Sequence, residues 1–528
     1  LDHQHDAGVG WFSFTEDSMN ETALSPELPG LVLIVGLGET GVAAARWCVR
    51  NGAAVRVADT RQAPAGLAAL TESVDALALD LHLGCDVFDA SLLEGVGVLV
   101  LSPGLVPGLS PVKELLELAQ ALGIEVIGEI ELFARALQLL QATQQYAPQV
   151  LGVTGTNGKT TVTALTRHML AAAGIRVRAA GNISPAALAS LIDALDANAL
   201  PDVWVLELSS FQLETTRSLR MTAAVVLNVT QDHLDWHGTM QAYGQAKARI
   251  YDMSDLLLVN RDDATVMAMC ESLTAMNVRS FGRDTPMLTG DVGLESSHDV
   301  CWLTTSEATE FEDDLPTPVK RKKNAPPPER ASGRLARLMP IDALGLHGVH
   351  NALNTQAALL LARAVGAGLG STLRAAGDYV GEPHRMEFIR SVRGIDFFND
   401  SKGTNVGATV AGLEGLGRRT VLIAGGAGKG QDFSPLISVV ARHVRAVVLI
   451  GQDAHLLLDT LAPTGVPCLL ADTLSQAVEL AFAQAQEGDA VVLSPACASL
   501  DMFRNYGHRG LVFVDAAHEL ALGQGEVA

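Results

Sequence analysis

The chain has 528 residues, room for roughly two to four domains, and 48% of them are hydrophobic, so buried cores are well supplied. A formal net charge of −22 argues against a general nucleic-acid binder, and no apolar run approaches the ~18 residues a membrane helix needs, so no integral membrane association is expected. The six scattered cysteines form neither a C-x-x-C pair nor a disulfide-like array, which fits reduced thiols in the cytoplasm.

Residues 1–29 are polar and acidic and read as a disordered N-terminal extension, without the apolar core of a secretory signal. At 31–61, "LVLIVGLGETGVAAARWCVRNGAAVRVADTR" runs from an apolar strand through glycines into an Ala-rich helix and a second strand, a βαβ unit. It opens a first domain expected over 30–146. Gly36 to Gly41 match G-x-G-x-x-G, whose glycines let backbone approach a diphosphate at a helix N-terminus. The diphosphate of a dinucleotide and that of a UDP-sugar fit equally well. Asp59 stands where a dinucleotide-binding protein would hold a ribose hydroxyl.

A central domain is expected over 147–381. Its segment "GVTGTNGKTT" (152–161) fails the strict pattern G-x-x-x-x-G-K-[ST], because Val153 occupies the first glycine position. The geometry of a phosphate loop survives. A strand leads into Gly155, Thr156, Asn157 and Gly158, and Lys159, Thr160 and Thr161 open a helix. Backbone N–H groups converge on the anion, Lys159 supplies a point charge, and the Thr160 hydroxyl can ligate Mg²⁺. Glu207 ends the buried strand "VLE", where an acid is costly unless paired or metal-bound. Asp232, His233, Asp235 and His237 follow another strand, and oxygen donors with one imidazole suit Mg²⁺. Lys247, in the helical "YGQAKARIY", reads by itself as an exposed charge.

Residues 285–340 contain "FEDDLPTPVKRKKNAPPPERASGR" and read as a flexible, solvated insertion. A third domain is expected over 382–528, with strands in "TVLIAGGAGKG", "AVVLIG" and "AVVLSPACASL" that end in glycine or serine turns. Strand–helix alternation throughout predicts an α/β protein with mostly parallel sheets and ligands beyond the strand carboxyl ends.

Together "GVTGTNGKTT", "ELSSFQLE" (207–214), "NVTQDHLDWHG" and "HNALNTQAA" (350–358) resemble the Mur ligases, the ATP-dependent amide-forming enzymes of peptidoglycan synthesis. TGTNGKT is that family's own form of the loop. "ADTR" (58–61), "NDSKGTN" (399–405) and "SPACASLDMF" (494–503) are similar to its D-glutamate-adding branch. The resemblance covers about residues 30–284 and 341–520. It implies a Rossmann-like N-terminal domain, a P-loop ATPase-like central domain and a Rossmann-like C-terminal domain. The implied substrates are ATP, UDP-N-acetylmuramoyl-L-alanine and D-glutamate, with two Mg²⁺ sites and a monomeric enzyme. Another Mur or folylpolyglutamate-type ligase, with a different amino acid, is the alternative.

Roles follow from the resemblance, residue by residue. Lys159 would neutralise the γ-phosphate. Thr160, Glu207 and His233 would ligate Mg²⁺, and Lys247 would do so as a carbamate. Asn182 in "AGNIS" would contact the acyl donor near its reacting carboxylate. Asn354, Arg385 and Asp400 would hold ATP. Lys402, Thr404, Lys429, Ser499, Leu500 and Tyr506 would surround D-glutamate. Glu39, Thr40, Thr60 and Arg61 would hold the UDP part.

Overall fold

The computed structural model describes residues 30–308, 329–346 and 348–526. The expected disordered extension at 1–29 lies outside the described residues. Three parallel-type sheets follow one another along the chain. The first has five parallel strands in the order Leu79–Leu83, Ala54–Asp59, Leu31–Val35, Val98–Leu101, Glu125–Ile127. Strand order reverses between Leu31–Val35 and Val98–Leu101, and the Gly36 turn sits at that crevice, where such sheets bind ligands.

The second sheet has six parallel strands in the order Val278–Phe281, Ser254–Asn260, Met221–Val226, Gln149–Thr154, Val203–Glu207, Val177–Gly181. Its strands are apolar on both faces because helices cover both. The phosphate-type loop leaves the carboxyl end of Gln149–Thr154, and Glu207 ends the neighbouring strand. Val153 is fully buried within its strand, which is why no glycine is needed there. The third large sheet has the order Glu387–Val392, Ile395–Asn399, Ala490–Leu493, Thr420–Gly425, Val444–Ile450, Cys468–Leu470, with only the first strand antiparallel.

The hydrophobic cores divide unevenly. One continuous core runs from the first sheet through helix Glu129–Gln144 onto one face of the second sheet; Phe133 and Trp204 meet edge to face in it, 5.3 Å between centroids. The third sheet has its own cores on its two faces. Polar contacts reinforce the first junction. Glu131 accepts from Arg217 N and Ser218 N, at 2.8 and 2.9 Å, and Glu129 from Leu188 N at 2.6 Å. Among the described residues no helix is long and apolar enough to cross a membrane.

The flexible reading of 285–340 needs correction. Val292–Ser297, Val300–Glu307 and Arg334–Pro340 form an antiparallel three-stranded sheet. Leu294 and Leu303 pair across it and enter the same core as helix Val349–Ala364. Arg330 donates to Asp291 at 2.6 Å with both side chains at least 96% buried, so a closed ion pair anchors the returning chain. The charged, proline-rich residues 309–328, which lie outside the described residues, hid the strand pattern on either side.

Two predictions follow from this packing. Arg330→Met strands a buried carboxylate, and should cost about 3 kcal/mol, read as a lower denaturant midpoint; an unchanged midpoint would show that the pair does not hold the small sheet. The second concerns Glu129. Burial raises its carboxyl from 4.5 to about 7, against the Leu188 amide that favours the ionised form. The folded state therefore binds more protons than the unfolded chain between those values, and stability falls as pH rises through that window. Glu129→Gln should melt above the parent at about pH 8 and with it at about pH 4. An identical offset at both pH values would contradict this.

Candidate active site

The strand carboxyl ends of the second sheet and one edge of the third domain enclose a cleft of about 250 Å³. Its floor is the loop after Gln149–Thr154. Gly155 (φ +150°) and Gly158 (φ +87°) take conformations that L side chains rarely adopt. A Cβ on Gly158 would also meet Asn354 Oδ1 at 2.6 Å. Asn228 braces the loop from the next strand, accepting from Asn157 N at 2.8 Å and donating to Asn157 O at 3.1 Å. Thr156 Oγ1 lies 3.1 Å from Tyr243 OH and accepts from Thr230 N at 3.0 Å. The loop thus opens helix Lys159–Ala172, whose first residues Lys159, Thr160 and Thr161 line the cleft, and a helix N-terminus so placed is a ready anion site.

Lys159 Nζ donates to Gly155 O and Thr156 O, both at 2.9 Å. Burial lowers its pKa, and Glu207 opposes that fall. Glu207 is 2% exposed; its Oε1 accepts from Asn182 Nδ2 at 2.9 Å, and Asn182 N donates to Glu207 O at 2.8 Å. Glu207 Oε2 is buried without a hydrogen-bond partner. An orphaned carboxylate oxygen costs free energy, and a hard cation would relieve it. Thr160 lines the same cleft, as does His233. Burial holds the His233 ring below the ordinary histidine value, with Asp232 opposing and the Lys159 and Lys247 charges adding, which favours the neutral ring with one lone-pair nitrogen open to a metal. No cluster of three or more His, Cys, Asp or Glu forms a self-sufficient metal site among the described residues. The donor set fits Mg²⁺ whose shell is completed by phosphate and water.

Lys247 is not the exposed charge that its helix alone suggests. It is 1% exposed, behind the loop, with Nζ donating to Gly155 O at 2.9 Å and lying 4.4 Å from the Tyr243 ring centroid. Burial first, then the Lys159 charge, holds its pKa well below the ordinary lysine value, which favours the neutral amine.

The third domain closes the cleft through polar contacts. Lys402 Nζ donates to Thr160 Oγ1 at 2.9 Å and lies 5.3 Å from the Tyr506 ring centroid. Burial, then the Arg385 charge, lowers Lys402 to about 8. Asn405 Nδ2 donates to Asn157 Oδ1 at 3.1 Å and Asp232 Oδ2 at 3.3 Å. Asp400 is pushed up to about 6 by burial, with the Ser494 hydroxyl opposing. Arg385 lines the cleft with its Nε buried and unpartnered.

Of the residues expected from the sequence, Thr156 to Thr161, Asn182, Glu207, His233, Asn354, Arg385, Asp400, Lys402, Thr404 and Tyr506 line this cleft. Lys429 (φ +52°), Ser499 and Leu500 do not line it; Lys429 is exposed, Ser499 buried and Leu500 71% exposed. The first-domain residues lie elsewhere. Arg61 forms a two-pronged pair with Asp59, at 2.8 and 2.7 Å, while Leu37 N also donates to Asp59, so this acid holds its own loop. Thr40 is half-buried and Thr60 exposed beside them. The Glu39 carboxylate accepts from Ser184 Oγ at 2.6 Å and Ala186 N at 3.0 Å, across the junction with the second sheet. Sequence reasoning assigned no role to Asn405, Asn228 or Tyr243. Their contacts span 71 to 248 residues, and only the periodic position of Asn228 after a strand hinted at the loop.

Three family models match: the Mur ligase MurD-like N-terminal domain over 30–128, the Mur ligase middle domain over 153–322, and the Mur ligase glutamate ligase domain over 384–497. The chain belongs to the Mur ligase family. A UDP-N-acetylmuramoylalanine–D-glutamate ligase of Bordetella bronchiseptica is 63% identical over 511 residues, 97% of this chain and 100% of that protein. The ligase of the same name from Ralstonia nicotianae is 54% identical, covering 94% of this chain and 98% of its own length. Two solved Mur ligases from Thermotoga maritima share the fold. The UDP-N-acetylmuramate–alanine ligase has a TM-score of 0.55 at 17% identity, over 93% of this chain and 99% of its own. MurF, solved in complex with ADP, has a TM-score of 0.54 at 15% identity, over 94% and 96%.

For this Mur ligase, Lys159→Ala should abolish turnover while leaving the circular dichroism spectrum unchanged, because a lost charge in a preorganised site costs several kcal/mol of transition-state stabilisation. Near-parental turnover would remove the loop from the chemistry.

Proposed function

We propose that this chain is an ATP-dependent carbon–nitrogen ligase that joins D-glutamate to UDP-N-acetylmuramoyl-L-alanine in peptidoglycan synthesis. The observation that carries this reading is the 2.9 Å contact of Lys402 with Thr160. It sets the "NDSKGTN" turn of the third domain against the phosphate loop. In this reading the chain divides at 30–146, 147–381 and 382–528, acts as a monomer and works in the cytoplasm.

A carboxylate is a poor acyl donor, and phosphorylation activates it. The alanyl carboxylate oxygen attacks the γ-phosphorus of ATP, and the bond to the ADP oxygen breaks. The amine of D-glutamate then attacks the acyl carbon, phosphate leaves with the C–O electron pair, and the amine gives up a proton. The enzyme's task is placement and charge neutralisation. Lys159 and the loop amides hold the transferring phosphoryl group. Asn182, oriented by Glu207, holds the acceptor carboxylate. Arg385 and Asp400 reach the nucleotide from the third domain, and Asn354 holds the adenine. Lys402, Thr404, Lys429, Ser499, Leu500 and Tyr506 hold D-glutamate, with Lys429, Ser499 and Leu500 drawn in as the third domain adjusts around substrate. Glu39, Thr40, Thr60 and Arg61 mark the UDP end, where the start of helix Glu39–Arg50 after the Gly36 turn would take a diphosphate. Thr160, Glu207 and His233 would hold Mg²⁺, which would supply further neutralisation of phosphate charge. A neutral Lys247 amine can add CO₂ through a new N–C bond and release one proton to solvent, and the resulting anionic carbamate would extend this ligand set.

The deciding assay measures phosphate release from ATP with UDP-N-acetylmuramoyl-L-alanine and each of several amino acids. D-glutamate alone should support rapid release; equal release with another amino acid would overturn the assignment. Lys247→Ala should be nearly inactive and partly rescued by acetate, whereas Lys247→Arg should stay inactive because guanidinium keeps its charge and forms no carbamate. A fully active Arg variant would rule out the carbamate.

A further inference from the structure

Arg509 lies in helix Tyr506–Gly523 and is 1% exposed. A guanidinium so buried ordinarily meets a carboxylate. Here all three hydrogen-bond acceptors are neutral. Nε donates to Ser401 Oγ at 3.0 Å, Nη2 to Ser401 O at 2.8 Å and Nη1 to Cys497 O at 3.2 Å. Asp501 and Asp400 act on it only through space, and burial lowers it to about 10, so it remains charged at neutral pH.

Its partners sit in the two segments that face the amino acid in the proposed reaction. Ser401 immediately precedes Lys402, and Cys497 lies two residues before Ser499. Ser401 Oγ passes the link on by donating to Tyr506 O at 2.8 Å. The planar fork of one side chain therefore sets the spacing of Lys402, Tyr506 and the Cys497–Leu500 turn. Lysine, with a single nitrogen, cannot span the same three acceptors. With no carboxylate in contact with it among the described residues, its charge adds a positive field to a pocket meant for a dicarboxylate.

We propose that Arg509 is a positioning residue for the amino-acid substrate, locking the Lys402 turn, Tyr506 and the Ser499 turn into one frame whose net positive charge favours a dicarboxylate. This rests on the reading that those residues hold D-glutamate.

The test is steady-state kinetics of Arg509→Lys, Arg509→Met and Ser401→Ala, with melting temperatures measured in parallel. Arg509→Lys should raise the KM for D-glutamate about tenfold, as loss of charge-assisted hydrogen bonds implies, with the KM for ATP and for the acyl donor within about twofold of the parent. Ser401→Ala, which removes the Nε acceptor alone, should show a smaller rise in the same KM. Arg509→Met should also lose preference for D-glutamate over D-glutamine, and Arg509→Lys should retain it. Should the methionine variant fail to fold, the other two carry the comparison. A parental KM for D-glutamate in both Arg509→Lys and Ser401→Ala would overturn the proposal. So would a parallel rise of all three KM values with a falling melting temperature, the mark of a merely structural arginine. If the parent enzyme itself does not consume ATP with D-glutamate, the functional reading falls, and this proposal with it.

Discussion

The buried carboxylate of Glu207 organises the site. One oxygen is satisfied by Asn182, and the other has no partner. An acid so placed is tolerated because cationic and metal-seeking groups surround it. Lys159 and Lys402 both feel its charge, and both are otherwise depressed by burial. The sheet makes this possible. Glu207 ends the strand beside the one that launches the phosphate loop, so two adjacent carboxyl ends deliver an anion and an anion-binding loop to one place. Thr160, Glu207 and His233 would hold Mg²⁺, which would offset the carboxylate and the phosphate charge together.

The distribution of apolar contact assigns mechanical roles. The first sheet and one face of the second share a continuous core, stitched further by Glu129 and Glu131. Those parts form a single platform. The third domain has separate cores, and its links to the phosphate loop run through Lys402 and Asn405. Polar links of this kind exchange readily for water or ligand, whereas a shared core does not. The third-domain turns at Lys402 and Asn405 are therefore free to adjust while the Gly36 turn and the phosphate loop keep their spacing. Glu39 belongs to the platform. Its carboxylate accepts from Ser184 and Ala186 just before helix Ala187–Asp196, whose first residue lies five beyond Asn182, so the Gly36 turn and the Asn182 turn share one rigid connection.

Much of this was legible in the sequence because the chemistry is local there. The phosphate loop, Glu207 at a strand end and the glycine turn at Gly36 each declare themselves within a few residues. Val153, the apparent defect in the loop, proves to be strand core. What the sequence hides is contact at long range. Lys247 looks like a surface lysine until the fold carries it 92 residues back to Gly155 O. Arg509 is one arginine in a helix, with no pattern to mark it. The small antiparallel sheet was concealed for a different reason: the charged, proline-rich stretch between its second and third strands dominates any composition window. Its anchor, the Arg330–Asp291 pair, joins residues 39 apart.

The central claim is that the site transfers a phosphoryl group to a carboxylate before the amide forms. The most direct measurement is oxygen transfer. UDP-N-acetylmuramoyl-L-alanine labelled with ¹⁸O in its alanyl carboxylate is turned over with ATP and D-glutamate, and the released phosphate is analysed by mass. An acyl phosphate requires one labelled oxygen to leave with each phosphate. Unlabelled phosphate, with amide product formed, would contradict the account.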